Sequence, residues 1–210
     1  MTAPGESSAS HLLSIPGMQR IDSPGSELFL LRQFLSPPEC EALIQRIEAR
    51  RRPSTIADAN GDEAFRTSET CDFDPADPLV NALAAKLAWL SGIDPAHGEP
   101  MQGQRYAVGQ QFKPHTDYFE PHGADFPVFC AVSGQRTWTF MVYLDDVPAG
   151  GETCFEALGK TIRPQRGKLV CWNNRLPDGQ VNPRTIHHAM KVRRGVKHVV
   201  TRWYRERPWG

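Results

Sequence analysis

Residues 112–117 read Phe-Lys-Pro-His-Thr-Asp, and seventy residues beyond Asp117 stands His187, with His188 at its side. In an extended strand, side chains two residues apart point to one face, so His115 and Asp117 can hold a single ion together while a distant strand brings His187. Two imidazoles and one carboxylate leave about three coordination positions open. That is the arrangement of non-haem Fe(II) sites, which must admit a cosubstrate and O2 on one metal. A chain with seven histidines can also place a His-x-Asp upstream of another His without any such purpose. The plain alternative is a hydrogen-bonded surface pair, so the rest of the chain has to decide.

Outward from this strand the pattern is β. After Gly103 the chain breaks into short runs of Val, Thr, Tyr, Phe and Trp separated by Gly, Pro and Asn-Asn, the composition of strands and tight turns. Strands are expected near 104–108, 112–117, 137–144, 152–156, 168–172 and 196–204. Upstream, Leu28, Phe29, Leu30 and Leu31 make one more strand-like run, followed by Ser36-Pro37-Pro38-Glu39. That tetrad combines an N-cap, prolines in the first turn and a capping-box glutamate, so a helix follows. Cys40, Leu43, Ile44 and Ile47 recur at helical steps, and Pro53 lies past the end. A second helix is expected over 74–92, where Leu79, Val80, Leu83, Leu87 and Leu90 share a face and Gly92 supplies the stop. The polar stretch 56–70 between the helices holds a turn signal at Asn60-Gly61.

Two helices against many short strands predict a mainly β fold with flanking α-helices, a double-stranded β-helix or jelly roll. One domain is expected over 27–210. Residues 1–26 are rich in Ser, Gly and Pro with one apolar patch at Leu12, Leu13 and Ile15, so they read as a flexible N-terminal arm. Lys plus Arg equals Asp plus Glu, 24 against 24, which offers no overall field for nucleic acid or an anionic membrane. Five cysteines without a C-x-x-C pair argue against a disulfide framework and a zinc cage. With no signal-peptide pattern and no apolar run of about 18 residues, a cytoplasmic protein is expected.

A ferrous oxygenase needs an oxidisable cosubstrate, and a dicarboxylic acid such as 2-oxoglutarate needs a buried cation. In the strand 196–203, alternation puts Lys197, Val199, Thr201 and Trp203 on one face, the better interior. A lysine buried there is costly until an anion neutralises it, which the far carboxylate of 2-oxoglutarate can do. Thr139, Met141 and Tyr143 share a face of the strand 137–144, opposite Trp138, Phe140, Val142 and Leu144. Hydroxyls of Thr139 and Tyr143 can add hydrogen bonds to the same carboxylate, and Tyr106 lies upstream where its hydroxyl can reach the cosubstrate. Taken alone, residues of these three types more often serve as ordinary sheet or core residues.

Taken in order, the motifs resemble the catalytic domain of the prolyl 4-hydroxylases. They are Arg105-Tyr106 with Gly109-Gln110, Pro114-His115-Thr-Asp117-Tyr118-Phe119, Arg136-Thr-Trp-Thr139, Tyr143-Leu144, Gly150-Gly151-Glu152-Thr153 with Phe155, and Pro164-Gln-Arg-Gly167. His187-His-Ala189, Val192, Gly195-Val-Lys197 and Trp203 continue the match, and Phe34-Leu35-Ser36, Glu39-Cys40 and Arg66-Thr67-Ser68 extend it upstream. The resemblance implies Fe(II) held by His115, Asp117 and His187, with 2-oxoglutarate chelating the metal and its far carboxylate on Lys197. It prefers His187 over His188, because His187 sets Val192, Gly195, Lys197 and Trp203 at the family's offsets. Tyr106, Thr139 and Tyr143 match positions that contact cosubstrate, and Arg66 matches a residue near the substrate entrance.

The activity so implied is hydroxylation of a C–H bond with release of succinate and CO2, using O2 and with ascorbate as reductant. The substrate implied is a proline-containing peptide or protein, for which Tyr118, Phe119, Trp138, Trp172 and Trp203 offer aromatic surfaces. Departures from the family pattern at His188, Lys191 and His198 spare the iron and cosubstrate positions but leave the substrate open. A free amino acid, another small molecule or nucleic acid stands as an alternative substrate, and a non-catalytic jelly-roll binding module as an alternative class. Arg202, Arg205 and Arg207 are the basic residues a nucleic-acid reading would use.

Overall fold

The computed structural model describes residues 4–55, 62 and 64–210. The expected turn at Asn60-Gly61 lies outside the described residues. The chain opens with α1 (Pro4–Ser14), β1 (Gln19–Arg20), β2 (Leu28–Leu31), α2 (Pro37–Arg50), β3 (Arg52–Pro53), β4 (Glu69–Asp72) and α3 (Pro78–Ser91). Then come β5 (Gln102–Tyr106), β6 (Phe112–His115), a single-turn α4 (Phe126–Phe129), β7 (Arg136–Tyr143), β8 (Ala149–Gly150) and β9 (Thr153–Phe155). The last five strands are β10 (Lys160–Ile162), β11 (Leu169–Asn173), β12 (His187–Ala189), β13 (Val192–Arg194) and β14 (Lys197–Arg205).

The helices begin and end where local chemistry dictates. At α2 the carboxylate of Glu39 accepts from both the backbone N–H and the hydroxyl of Ser36, each at 2.7 Å, so the first turn is tied back to its cap. The second helix starts later than its apolar pattern alone suggests. Asp74 instead receives the Ala76 N–H in a turn, and Asp77 caps α3 by accepting from Leu79 N at 2.9 Å. Pro78 then fills the first helical position. Gly92, at φ 67°, closes α3 in the left-handed conformation.

Two main antiparallel sheets face one another, and β8 pairs with β13 in a separate two-stranded sheet. The larger runs in the order β1-β2-β11-β7-β14-β5-β4-β3, and the smaller β10-β9-β12-β6. This is the jelly roll expected, and its strands fall within a few residues of the positions read from the sequence. Alternation divides the core in two. Trp138, Phe140, Val142, Val200 and Tyr204 face the helices and pack with Leu43, Ile47, Leu83 and Leu87. Met141, Tyr143, Val170, Trp172 and Val199 face inward between the sheets with Phe155 and Val192. Among the described residues no helix is long and apolar enough to cross a membrane.

One expectation fails. The arm read as flexible over 1–26 is docked in its described part. Leu12 is fully buried in the helix-side core, α1 packs on α3, and the His11 ring lies 2.9 Å from the Trp89 carbonyl. Then β1 adds to the edge of the larger sheet through Gln19↔Leu30 and Arg20↔Phe29. A single leucine with a matching slot offsets the ordering entropy of a short segment that composition alone marks as polar.

Candidate active site

The three sequence-derived ligands come together. Register pairs His187 of β12 directly with His115 of β6, and Asp117 follows two residues beyond β6. One ligand atom from each of His115, Asp117 and His187 lies within 4.8 Å of the others. Nδ1 of His115 donates to the Lys113 carbonyl at 2.8 Å and Nδ1 of His187 to the Thr185 carbonyl at 2.9 Å. A carbonyl can only accept, so each Nδ1 carries the proton and each Nε2 keeps its lone pair for a metal. Burial pushes the His115 imidazole down to about 3, and burial likewise lowers His187, so both are neutral ligands at ordinary pH. Burial opposes ionisation of Asp117, but His187, His115, Arg136 and the Thr139 hydrogen bond outweigh it and hold the carboxyl below its usual range. These donors suit a divalent transition metal with open positions.

His188, on the other face of β12, pairs with Cys154 and sets its Nδ1 2.9 Å from Glu156. Strand alternation thus removes it from the cluster.

On the facing sheet, β14 carries Lys197 inward, opposite Tyr106 of β5. Its side chain is 1% exposed, and among the described residues its ammonium has no hydrogen bond or ion pair. It lies 4.9 Å from the Tyr106 ring and 5.5 Å from the Tyr143 ring, contacts that compensate only part of its lost hydration. Burial pushes the amine down to about 7. A cavity of about 60 Å³ joins Lys197 to the three ligands, walled by Tyr106, Thr153, Gln104, Thr201, Met141 and Trp172 among others. A cation at one end and a ligand set at the other fit a dicarboxylate that also chelates the metal.

Two expected contacts change. Thr139 shares the inward face but does not line this cavity: its hydroxyl donates to Asp117 Oδ2 at 2.7 Å, because the loop after β6 sets the carboxylate against it. Tyr143 sits one bond behind the wall, its hydroxyl 2.6 Å from Thr153 Oγ1. Thr153 is the cavity-facing hydroxyl that sequence reasoning passed over. Its signal was present, since Thr153 and Phe155 share a face of a short strand and Phe155 is an evident core residue. Gly150 and Gly151 set that strand in place: both have positive φ, and a Cβ on Gly150 would stand 2.2 Å from the Lys191 carbonyl.

Outside the inner cavity a groove of about 540 Å³ opens past the ligands, lined by Phe65, Phe112, Tyr118, Phe119, Phe129, Trp203 and Trp209 among others. Arg66 borders both spaces. It stacks on Phe112 at 4.8 Å while donating to Ser68, Thr70 and the Thr55 carbonyl, so it forms a fixed post between them. Trp138 is contradicted as a substrate contact. It is fully buried against Phe29 and Phe140 on the helix side, because strand parity turns it away from the face that carries Thr139. Trp172 lines the inner cavity instead, its ring edge-on to His187. The groove floor is held by Glu99, which takes two bonds from Arg136 at 2.6 and 2.8 Å, while Arg136 also donates to the Asp117 carbonyl at 3.2 Å.

Residues 101–205 match the family model of the 2OG-Fe(II) oxygenase superfamily. Prolyl 4-hydroxylase 1 of Arabidopsis thaliana is 32% identical over 200 residues, covering 86% of this chain and 69% of that protein. Prolyl 4-hydroxylase subunit alpha-1 of Gallus gallus is 34% identical over 131 residues, covering 62% of this chain and 25% of the subunit. The chain therefore spans about two thirds of such a plant relative and a quarter of the animal subunit. Among solved structures, the 2OG complex of the viral collagen prolyl hydroxylase of Paramecium Bursaria Chlorella virus-1 matches at a TM-score of 0.68 and 26% identity, over 85% of this chain and 95% of that one. The chain belongs to the 2OG-Fe(II) oxygenase superfamily and, within it, to the prolyl 4-hydroxylase family.

Proposed function

We propose that this oxygenase hydroxylates a prolyl residue of a peptide or protein, with Fe(II) on His115, Asp117 and His187 and 2-oxoglutarate between that metal and Lys197. The observation that carries the reading is the convergence of two neutral imidazoles from one sheet with the Asp117 carboxylate from the loop beyond β6, facing an unpaired buried ammonium in the other sheet. When bound, the iron and 2-oxoglutarate supply O2 activation and C–H oxidation, releasing succinate and CO2. Ascorbate is assigned only the part of a reductant that keeps the metal ferrous.

The protein's share is to bind, orient and keep water out. Lys197 neutralises the far carboxylate and recovers the interaction energy that burial took from it. Thr153, whose oxygen is held by the Tyr143 hydroxyl, is left free to donate its own hydrogen toward that carboxylate. Tyr106 and Trp172 close the sides. The substrate chain lies in the aromatic groove, where Tyr118, Phe119 and Trp203 offer flat apolar faces of the kind that receive extended, proline-containing segments. Arg66 stands where substrate and cosubstrate meet and sets how closely the target ring approaches.

The test is mass spectrometry of proline-containing peptides incubated with the protein, Fe(II), 2-oxoglutarate, O2 and ascorbate, read together with succinate release. A gain of one oxygen on proline is expected. Succinate formation without any peptide modification across a broad peptide set, joined to oxygen gain on a free amino acid or a nucleobase, would move the substrate to another class. No succinate under any condition would leave a binding module.

A further inference from the structure

We propose that Thr139 and Asn174 form a positioning relay that reserves Oδ2 of Asp117 for a hydrogen bond and offers the metal only Oδ1; the inference rests on the iron reading above. Thr139 Oγ1 lies 2.7 Å from Asp117 Oδ2 and 2.9 Å from Asn174 Nδ2. An ionised carboxylate can only accept and an amide nitrogen only donate, so the direction of both bonds is fixed. The single hydroxyl hydrogen of Thr139 goes to Asp117, and the amide of Asn174 fills a lone pair of the hydroxyl. Both residues are fully buried.

Asn174 is held for this purpose. Its backbone N–H donates to the Thr137 carbonyl at 2.7 Å, and its own carbonyl accepts from Asn182 at 2.8 Å. Its side-chain Oδ1 has no partner among the described residues, although a buried orphan acceptor is an expensive feature. Turning the amide over would satisfy nothing at Asp117, because an oxygen facing Thr139 would draw the hydroxyl hydrogen away from the carboxylate. With the hydroxyl hydrogen committed to the carboxylate, Asn174 can meet Thr139 only through its donor end. Asp117 is also steadied from behind by Arg136 on its backbone carbonyl.

The consequence concerns coordination number. A carboxylate that turns to use both oxygens occupies one more position on the metal, and a chelating cosubstrate plus O2 need three free positions. Occupying Oδ2 with a hydrogen bond would leave Oδ1 as the oxygen free to hold a metal. Outer hydrogen bonds of this kind hold metal ligands in place, and their removal typically weakens metal binding about 10- to 100-fold.

The experiment measures Fe(II) affinity anaerobically by competition with a fluorescent chelator, together with the charge-transfer absorption of the Fe(II)–2-oxoglutarate complex, in the full chain. Thr139→Val should weaken Fe(II) binding about 10- to 100-fold and shift the absorption band, while Thr139→Ser restores both to near wild type. Asn174→Leu should act in the same direction, and the double variant should bind no more weakly than Thr139→Val alone, because both act through one bond. Wild-type affinity and an unshifted band in Thr139→Val overturn the relay, as does a double variant whose loss is the product of the singles. If Asn174→Leu does not fold, Thr139→Val and Thr139→Ser decide the matter. Asp117→Ala separates the two readings. Metal loss there with an unaffected Thr139→Val sinks only the relay, whereas unchanged metal binding in Asp117→Ala sinks the iron site itself.

Discussion

Replacing Lys197 with methionine should stabilise the cosubstrate-free protein while abolishing its response to 2-oxoglutarate. The amine is buried without an ion pair and is pushed from an ordinary 10.5 down to about 7. Between those values the unfolded chain binds the proton and the folded one does not, so stability rises with pH across that window. Below about pH 7 the full shift opposes folding, on the order of 5 kcal/mol at 1.36 kcal/mol per pH unit. At pH 7, where the folded amine is half neutral, roughly 4 kcal/mol remains, and at pH 9 roughly 2 kcal/mol. Methionine keeps the stem's volume and removes the charge. Urea unfolding of the cosubstrate-free proteins should therefore show the Lys197→Met variant ahead by a few kcal/mol near pH 7, with the gap narrowing by about half toward pH 9. Added 2-oxoglutarate should raise the wild-type midpoint and leave the variant unmoved. A variant no more stable than wild type at pH 7, or a gap that ignores pH, would refute the account of Lys197 as an unpaired buried cation.

Three further outcomes follow from the same geometry. His187→Ala should lose Fe(II) in an anaerobic chelator competition while His188→Ala keeps it, since only the former imidazole faces His115; the reverse result would move the ligand by one residue. Tyr143→Phe should raise the 2-oxoglutarate Kd by about threefold to tenfold, the worth of roughly one hydrogen bond, because Thr153 loses the partner that orients it, and calorimetric titration reads the change. Leu12→Ala should destabilise the protein by about 2–5 kcal/mol in urea unfolding, as a fully buried leucine does, and should speed hydrogen exchange in 4–14; an unchanged midpoint would restore the flexible arm.

Much of the site was legible because it depends on alternation, and alternation is a property of the sequence. Lys197 with Val199 and Thr201 falls on its true face by counting in twos, and His115 and His187 meet across paired strands, while Asp117 reaches them from the loop just past β6. The same count set Trp138 opposite Thr139, so the parity already argued against Trp138 as a substrate contact; its aromatic chemistry had weighed more than its face. Thr139 and Tyr143 were assigned to the right face but not to the right partners. Which hydroxyl touches a cavity and which stands behind it depends on where a loop crosses a strand, and only the fold supplies that. The docking of α1 was illegible for a different reason: one leucine in a polar segment carries no period, and its slot is built by residues of α3 some seventy positions away.

The two ends of the proposed cosubstrate site are gripped by different sheets. His115 and His187 belong to the smaller sheet, Lys197 to the larger, and opposed sheets in such folds keep a spacing of about 10 Å that packing does not let breathe. The barrel thus behaves as a caliper with fixed jaws. A diacid one methylene shorter, such as oxaloacetate, meets one jaw at a time and should compete with 2-oxoglutarate poorly in a displacement titration. Selectivity among keto acids then becomes a matter of length, gauged by the architecture before any side chain reads the molecule between.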